Sequence, residues 1–269
     1  MSDPRPRSLL RSTLVPLIAL LLAPLPSAAG SSEEAPRSGT AAQPASPPGA
    51  DFLFGQPRTV LGIAGGWLAG TDTGDLFDFV RNELTIEDGD FDTVAVRLSA
   101  GRALTSRLDL LAEVGFSQAR VQSEYREFVE DDGLPITQAT EFTRVPVQGS
   151  LRLWLVPRGR QIGRFAWVPR RMAPFVGAGG GGQWYQFQQF GDFVDFVDLS
   201  IFTDDFRTRG WAWSGHVFGG VSIAVRKQIF LTLEARQAWA RTRPSDYFVG
   251  FDTIELSGLR ITGGLEFVF

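Results

Sequence analysis

The chain has 269 residues, 43% of them hydrophobic, with a formal net charge of −4 and no cysteine. Lack of cysteine excludes a disulfide framework and an acylated lipoprotein cysteine, and beyond residue 29 no run reaches the roughly 18 apolar residues of a membrane helix. A mean hydropathy near zero suits a soluble protein, and equally a set of strands in which every second residue faces a polar lumen.

At the start of the chain Arg5, Arg7 and Arg11 precede an apolar run over 14–23, followed by Pro24, Pro26 and the small residues Ser27-Ala28-Ala29. This order predicts a secretory signal peptide over 1–29. Residues 30–50, rich in Pro, Ala and Ser without an apolar period, read as a disordered lead-in, leaving one domain over 51–269.

Eight segments of that domain alternate with period 2: 59–70, 93–103, 108–121, 142–155, 173–187, 208–225, 229–241 and 254–269. Several exceed the roughly 9–11 residues that cross a bilayer, so their outer ends stand above it. Connections alternate between short and long, with 156–172 as an unusually long member of the short set. Charge divides the two sets more sharply than length. Arg102, Arg107, Arg158, Arg160, Arg164, Arg170, Arg171, Arg226 and Lys227 make the short side purely basic. The long loops 71–92, 122–141 and 187–208 hold nineteen carboxylates against Arg81, Arg126 and Arg207, a net of −16. Turns of a soluble sandwich have no reason to segregate by sign.

The last strand, Leu259 to Phe269, places Leu259, Ile261, Leu265, Phe267 and Phe269 on one face and Arg260, Thr262, Gly264 and Glu266 on the other. Apolar-out, polar-in alternation ending on an aromatic is the pattern of an outer-membrane barrel strand. Ala173-Pro174-Phe175-Val176-Gly177-Ala178-Gly179-Gly180-Gly181 resembles a strand common in small OmpA/OmpX/OmpW-like barrels, and Leu233-Glu234-Ala235-Arg236 is similar to their Glu-small-Arg strand. The resemblance, covering about 59–269, implies an all-β, eight-stranded antiparallel up-and-down transmembrane β-barrel in the Gram-negative outer membrane. It implies no catalytic residues, and it makes Phe269 an assembly signal for the barrel-assembly machinery. A carboxy-terminal peptidoglycan-binding domain like that of OmpA is lacking.

Parity sends Arg97, Asp109, Glu113, Arg144, Arg152, His216, Glu234, Arg236, Arg260 and Glu266 into a lumen that, at eight strands, is only wide enough for side chains to fill. Five arginines against four carboxylates suggest a salt-bridged plug, with a charged gate as the alternative. A hairpin centred near Thr105 would set Arg97 directly opposite Glu113, Leu98 opposite Ala112 and Ala100 opposite Leu110. Trp67, Phe116, Trp211, Trp213 and Trp239 at the loop ends, with Phe267 and Phe269 at the opposite rim, are expected to form two aromatic girdles.

Candidate chemistry is sparse. The glycines 177–182 satisfy G-x-G-x-x-G literally, but no helix period follows, so they read as space for large lumen neighbours. Ser214, His216 and Glu234 raise the possibility of an esterase resembling the lipid A deacylase barrels, although all three point into the lumen. The acidic runs 87–92 and 192–198 offer oxygen ligands for a divalent cation, without EF-hand spacing, or form a solvated surface. Phe193, Val194, Phe196 and Val197 in the second run fit a resting place on the rim or a contact for an external partner. The expected function is therefore a non-enzymatic structural or surface-interaction barrel. No cofactor, metal or nucleic acid is expected, and the expected partners are outer-membrane lipids, lipopolysaccharide, the assembly machinery and an external partner at the acidic loops. Alternatives are an OmpW-like transporter of small solutes, which needs an apolar interior path, and a lipid-modifying enzyme.

Overall fold

The computed structural model describes residues 52–71, 73–130, 133–195, 197–248 and 250–269. The expected signal peptide and lead-in lie outside the described residues. In chain order the elements are β1 (Leu53–Phe54), β2 (Thr59–Gly70), α1 (Asp75–Glu83), β3 (Thr93–Ala103), β4 (Leu108–Val129), β5 (Pro135–Trp154), β6 (Gly159–Ile162), β7 (Ala166–Pro169), β8 (Met172–Val194), β9 (Ile201–Ala224), β10 (Ile229–Thr242), a 3₁₀ turn (Asp246–Phe248), β11 (Ile254–Glu255) and β12 (Gly258–Val268).

Antiparallel hydrogen bonding runs β2-β3-β4-β5-β8-β9-β10-β12 and returns to β2, so eight strands close into a ring. Alternate residues on each strand point to opposite faces, and here the usual polarity is inverted. Outward positions such as Leu61, Ile63, Leu98, Leu110, Leu151, Val217, Leu233 and Ile261 are apolar and exposed, while inward ones include buried Arg, Glu, Gln and Ser. An exposed apolar band around a charged interior suits a hydrocarbon solvent, and the chain is an eight-stranded transmembrane β-barrel. No described helix is long and apolar enough to cross a membrane; crossing is done by strands.

The barrel is lopsided. β4, β5, β8 and β9 have 22, 20, 23 and 24 residues, whereas β10, β12, β2 and β3 have 14, 11, 12 and 11. Four of the long alternating segments thus run further than sequence patterning suggested. The segment expected as one strand over 254–269 breaks into β11 and β12, because Leu256, Ser257 and Gly258 are consecutively buried and parity is lost there. Ser257 Oγ takes the place of a ladder acceptor for the amide of Ala240, at 3.0 Å.

Two connections expected as irregular are folded. The 71–92 loop contains α1, whose Leu76, Phe77 and Val80 share one buried face. Gly74 at its N-terminus has φ +107°, and a Cβ there would lie 3.0 Å from the carbonyl oxygen of Thr253, so only glycine fits the approach. Phe77 meets Phe91, Phe142 and Phe187 edge to face at centroid distances of 5.5, 5.7 and 5.9 Å. With Ile86, Phe248, Ile254 and Leu256 these rings form an apolar lid across the loop end of the barrel. The 156–172 connection forms the hairpin β6–β7, and β7 also pairs with β1. Its Trp167 packs on Val60, Phe230 and Val268 at the turn end of the lumen.

If the lid is held by Phe77, then Phe77→Ala should open it while the barrel stays folded. Deletion of a buried ring costs about 3–5 kcal/mol, so amide exchange over 75–83 should accelerate while the strands keep their protection. Unchanged exchange in α1 would mean that the lid is held by other contacts.

Candidate functional site

Charged side chains fill the barrel between the two apolar closures. All ten expected lumen residues point into the interior, and seven of them, joined by Arg158, form two quartets. In the middle of the barrel, Arg236 on β10 grips Glu113 on β4 as a fork, with Nη2 to Oε1 at 2.9 Å and Nη1 to Oε2 at 3.0 Å. Its Nε donates to Glu234 Oε1 at 3.0 Å, and Arg97 Nη1 on β3 reaches the same oxygen at 2.5 Å and Glu113 Oε1 at 3.3 Å. Two cations and two anions are thus mutually neutralised within hydrogen-bond distance. Planar guanidinium groups suit this because one head can serve two carboxylates at once.

The second quartet lies nearer the turn end. Arg152 on β5 donates to Asp109 Oδ2 at 3.0 Å and to Glu266 on β12, and Arg158 approaches Glu266 at 3.6 Å. Trp154 Nε1 completes Asp109 at 2.9 Å, and its ring lies under both guanidinium groups, 4.6 Å from Arg152 and 5.1 Å from Arg158. Arg158, assigned by sequence to the basic turns, is a buried lumen residue, because the β6–β7 hairpin folds back beneath the barrel. Periodicity could not find it, since it lies outside any barrel strand.

The hairpin register also departs from expectation. Arg97 is opposite Gly115 and Glu113 is opposite Ser99, with Leu98 facing Val114 and Ala100 facing Ala112. The turn is one residue further along than a centre at Thr105. It is fixed by the amides of Leu104 and Thr105 reaching the carbonyl of Leu108 at 2.8 and 3.1 Å, and by Thr105 Oγ1 accepting from the amide of Arg107. The Arg97–Glu113 pair therefore forms diagonally.

With Arg158 inside, six guanidinium groups meet four carboxylates. Arg144 and Arg260 stand outside both quartets. Arg144 lies 4.7 Å over the Phe142 ring and donates to the carbonyl of Phe91 at 3.2 Å. Arg260 Nε finds no acceptor among the described residues. A cavity of about 10 Å³ lies between Arg144, Arg236 and Arg260, close to the least that holds one water.

Ser214, His216 and Glu234 are not assembled into a triad. Ser214 Oγ accepts from Gln148 Nε2 at 2.9 Å and donates to the carbonyl of Gly181 at 3.3 Å, and Glu234 is paired across the sheet with Gly220. His216 Nε2 instead lies 2.9 Å from Ser150 Oγ, which donates to Glu113. This is a triad in the wrong order: the carboxylate is on the serine side, and His216 Nδ1 has no partner among the described residues to fix its tautomer. The inward Gly179 serves packing, because a Cβ there would stand 2.8 Å from the His216 ring and 2.2 Å from the carbonyl oxygen of Gly149.

Among the described residues no three His, Asp or Glu side chains converge in metal-binding geometry. In the acidic run 192–198, Asp195 and Asp198 cap backbone amides of Val197 and Ser200 at 2.8 and 3.0 Å. Hydrogen bonding from the Ser200 hydroxyl, and then from its backbone amide, holds the Asp198 carboxyl below its ordinary pKa. Phe193 and Val194 are buried at the end of β8, whereas Val197 is fully out in solvent; Phe196 lies outside the described residues. Trp67, Phe116, Trp211, Trp213, Trp239, Phe267 and Phe269 all lie on the outer surface. Trp184, missed by the sequence reading, points outward directly opposite Trp211. Phe269 follows the end of β12 and extends the closure to β2, exchanging backbone bonds of 3.0 Å with Thr59.

No known family profile and no curated protein matches the chain. Among solved structures it is similar to Neisserial surface protein A, at 12% identity and a TM-score of 0.42 over 79% of this chain and 97% of that one. It is also similar to the outer membrane protein OprG of Pseudomonas aeruginosa, at 10% identity and a TM-score of 0.43 over 81% and 99%. The attachment invasion locus protein Ail of Yersinia pestis matches at 10% identity and a TM-score of 0.39 over 79% and 99%.

The fork between Arg236 and Glu113 supplies a direct test of the quartet. Glu113→Gln or Arg236→Gln alone strands a confined charge and should cost about 3–5 kcal/mol, with the double substitution costing less than the sum. Unfolding of all four proteins in lipid or detergent gives the coupling energy. Additive costs would mean that water, and not the partner, solvates these groups.

Proposed function

We propose that this chain is a non-enzymatic barrel of the Gram-negative outer membrane, closed through its lumen at rest and working by recognition at its loop end. The observation that carries this reading is closure at three heights: the Phe77 lid, the two ion quartets and Trp167. An OmpW-like transport path would need a continuous apolar interior, and four carboxylates with six guanidinium groups offer the opposite. A lipid-modifying esterase would need an ordered triad near the wall, and the His216 contacts run the wrong way for one. Exposed Trp67, Trp211, Trp213 and Trp239 favour headgroup depth at the loop end, with Phe267 and Phe269 at the other rim. Segregation of acidic loops from basic turns supports placing the loops outside the cell, beside lipopolysaccharide, with the turns in the periplasm.

Conductance tests the closure. In a planar bilayer the purified protein should show no large steady channel, only rare small openings. Arg97→Gln should raise their frequency, because Glu234 and Glu113 then lose one of their two cations. Steady wild-type conductance, unaffected by that substitution, would make the charges a pore lining and the protein a transporter.

A further inference from the structure

We propose that the loop end carries a binding site for a small organic cation of the quaternary or alkylammonium class, taken from the external medium. The site is a groove of about 270 Å³ lined by α1, the tall strands β4, β5, β8 and β9, and the 3₁₀ turn with the residues after it. This rests on reading the loop end as the recognition face and gives that face a ligand class.

The walls are aromatic. Phe193 stacks on Phe202 at 6.0 Å and meets Phe206 edge to face at 4.6 Å, and Phe206 in turn meets Tyr247 at 5.5 Å. Across the groove Phe251 packs on Phe79 at 5.4 Å. Phe79, Phe202 and Tyr247 keep 40%, 39% and 70% of their surface exposed, so ring area is left uncovered instead of being packed away.

One carboxylate lines this apolar groove. Glu83, the last residue of α1, is only partly exposed and forms no ion pair or hydrogen bond among the described residues. The cation nearest in sequence, Arg81, is committed elsewhere, to Asp78 at 2.6 Å and Asp88 at 2.9 Å. The loops around the groove carry a net charge of −16, so the potential over it is negative. Ring faces are themselves electronegative, and cation–π contacts strengthen where the cation is desolvated. Ring faces, a free carboxylate and a negative field all select the same ligand: a cation with an apolar body. A hydrated metal ion would gain little, since one carboxylate and ring faces cannot replace its oxygen shell. An anion would meet repulsion.

The test uses the full chain in nanodiscs of phosphatidylethanolamine and phosphatidylglycerol, with empty discs as blank. Choline is the probe, and 3,3-dimethylbutan-1-ol its uncharged isostere. Calorimetry or ligand-observed NMR should give saturable choline binding, at least about tenfold tighter than the alcohol, and Glu83→Gln should remove most of that preference. Phe202→Leu, at a partly exposed ring outside the lid cluster, should weaken choline several-fold and leave thermal stability unchanged. Equal binding of choline and alcohol, no saturable binding, or an unaltered choline affinity in Glu83→Gln would each overturn the proposal. Lumen closure is read by conductance, so failure here leaves that reading intact.

Discussion

Confinement of charge in a narrow ring of strands is the constraint on which the rest of this structure depends. An eight-strand lumen has room for side chains and little else, so each guanidinium must find its counter-charge in a particular neighbour. Arg236 meets the demand by facing Glu113 with two nitrogens and Glu234 with the third. Arg152 meets it by spanning Asp109 and Glu266. Neighbouring strands must therefore hold their registers, because a slip of two residues would keep every side chain facing inward yet separate the partners by about 7 Å. The ion quartets specify register where apolar alternation alone does not.

That distinction explains what was legible in the sequence. Facing was readable, since alternation reports it directly: Arg97, Glu113, Arg144, Arg152, Glu234, Arg236 and Glu266 follow a parity that the apolar outward residues set. Register was not, because a shift of two preserves parity, and the β3–β4 hairpin moved by that amount through hydrogen bonds of its turn. Arg158 was illegible for another reason: it reaches the lumen from a hairpin tucked under the barrel, and no period links that hairpin to the strands above. The helix α1 left a trace, with Leu76, Phe77 and Val80 at helical spacing. It has nine residues, a glycine at its N-cap and no side-chain cap, so the usual start signals were missing.

Guanidinium groups outside the quartets can also use ring faces and carbonyl oxygens. Arg144 lies where the charged interior meets the phenylalanine lid, using Phe142 and the carbonyl of Phe91. The lid is thus bound to the barrel through an arginine as well as through apolar contact.

Unequal strand length accounts for the form of the loop end. Strands β4, β5, β8 and β9 exceed their partners by roughly ten residues, about 30 Å of extra wall at 3.3 Å per residue, with no opposite wall to face. An isolated tall sheet would expose both its inner face and its two edges. The first edge is covered by the chain after α1, where the amide of Thr85 reaches the carbonyl of Glu124 and the amide of Glu124 reaches Thr85 Oγ1, both at 2.9 Å. The second is covered near the 3₁₀ turn, where the amide of Ser245 reaches Thr208 Oγ1 at 2.9 Å. Each cover brings apolar rings inward, and together they bury Phe142, Phe187 and Phe248. They do not meet completely: between α1, β8–β9 and the second cover a strip of ring surface remains open beside Glu83. The need to cover a tall wall from two sides therefore places an aromatic groove at the loop end of the barrel, among its acidic loops.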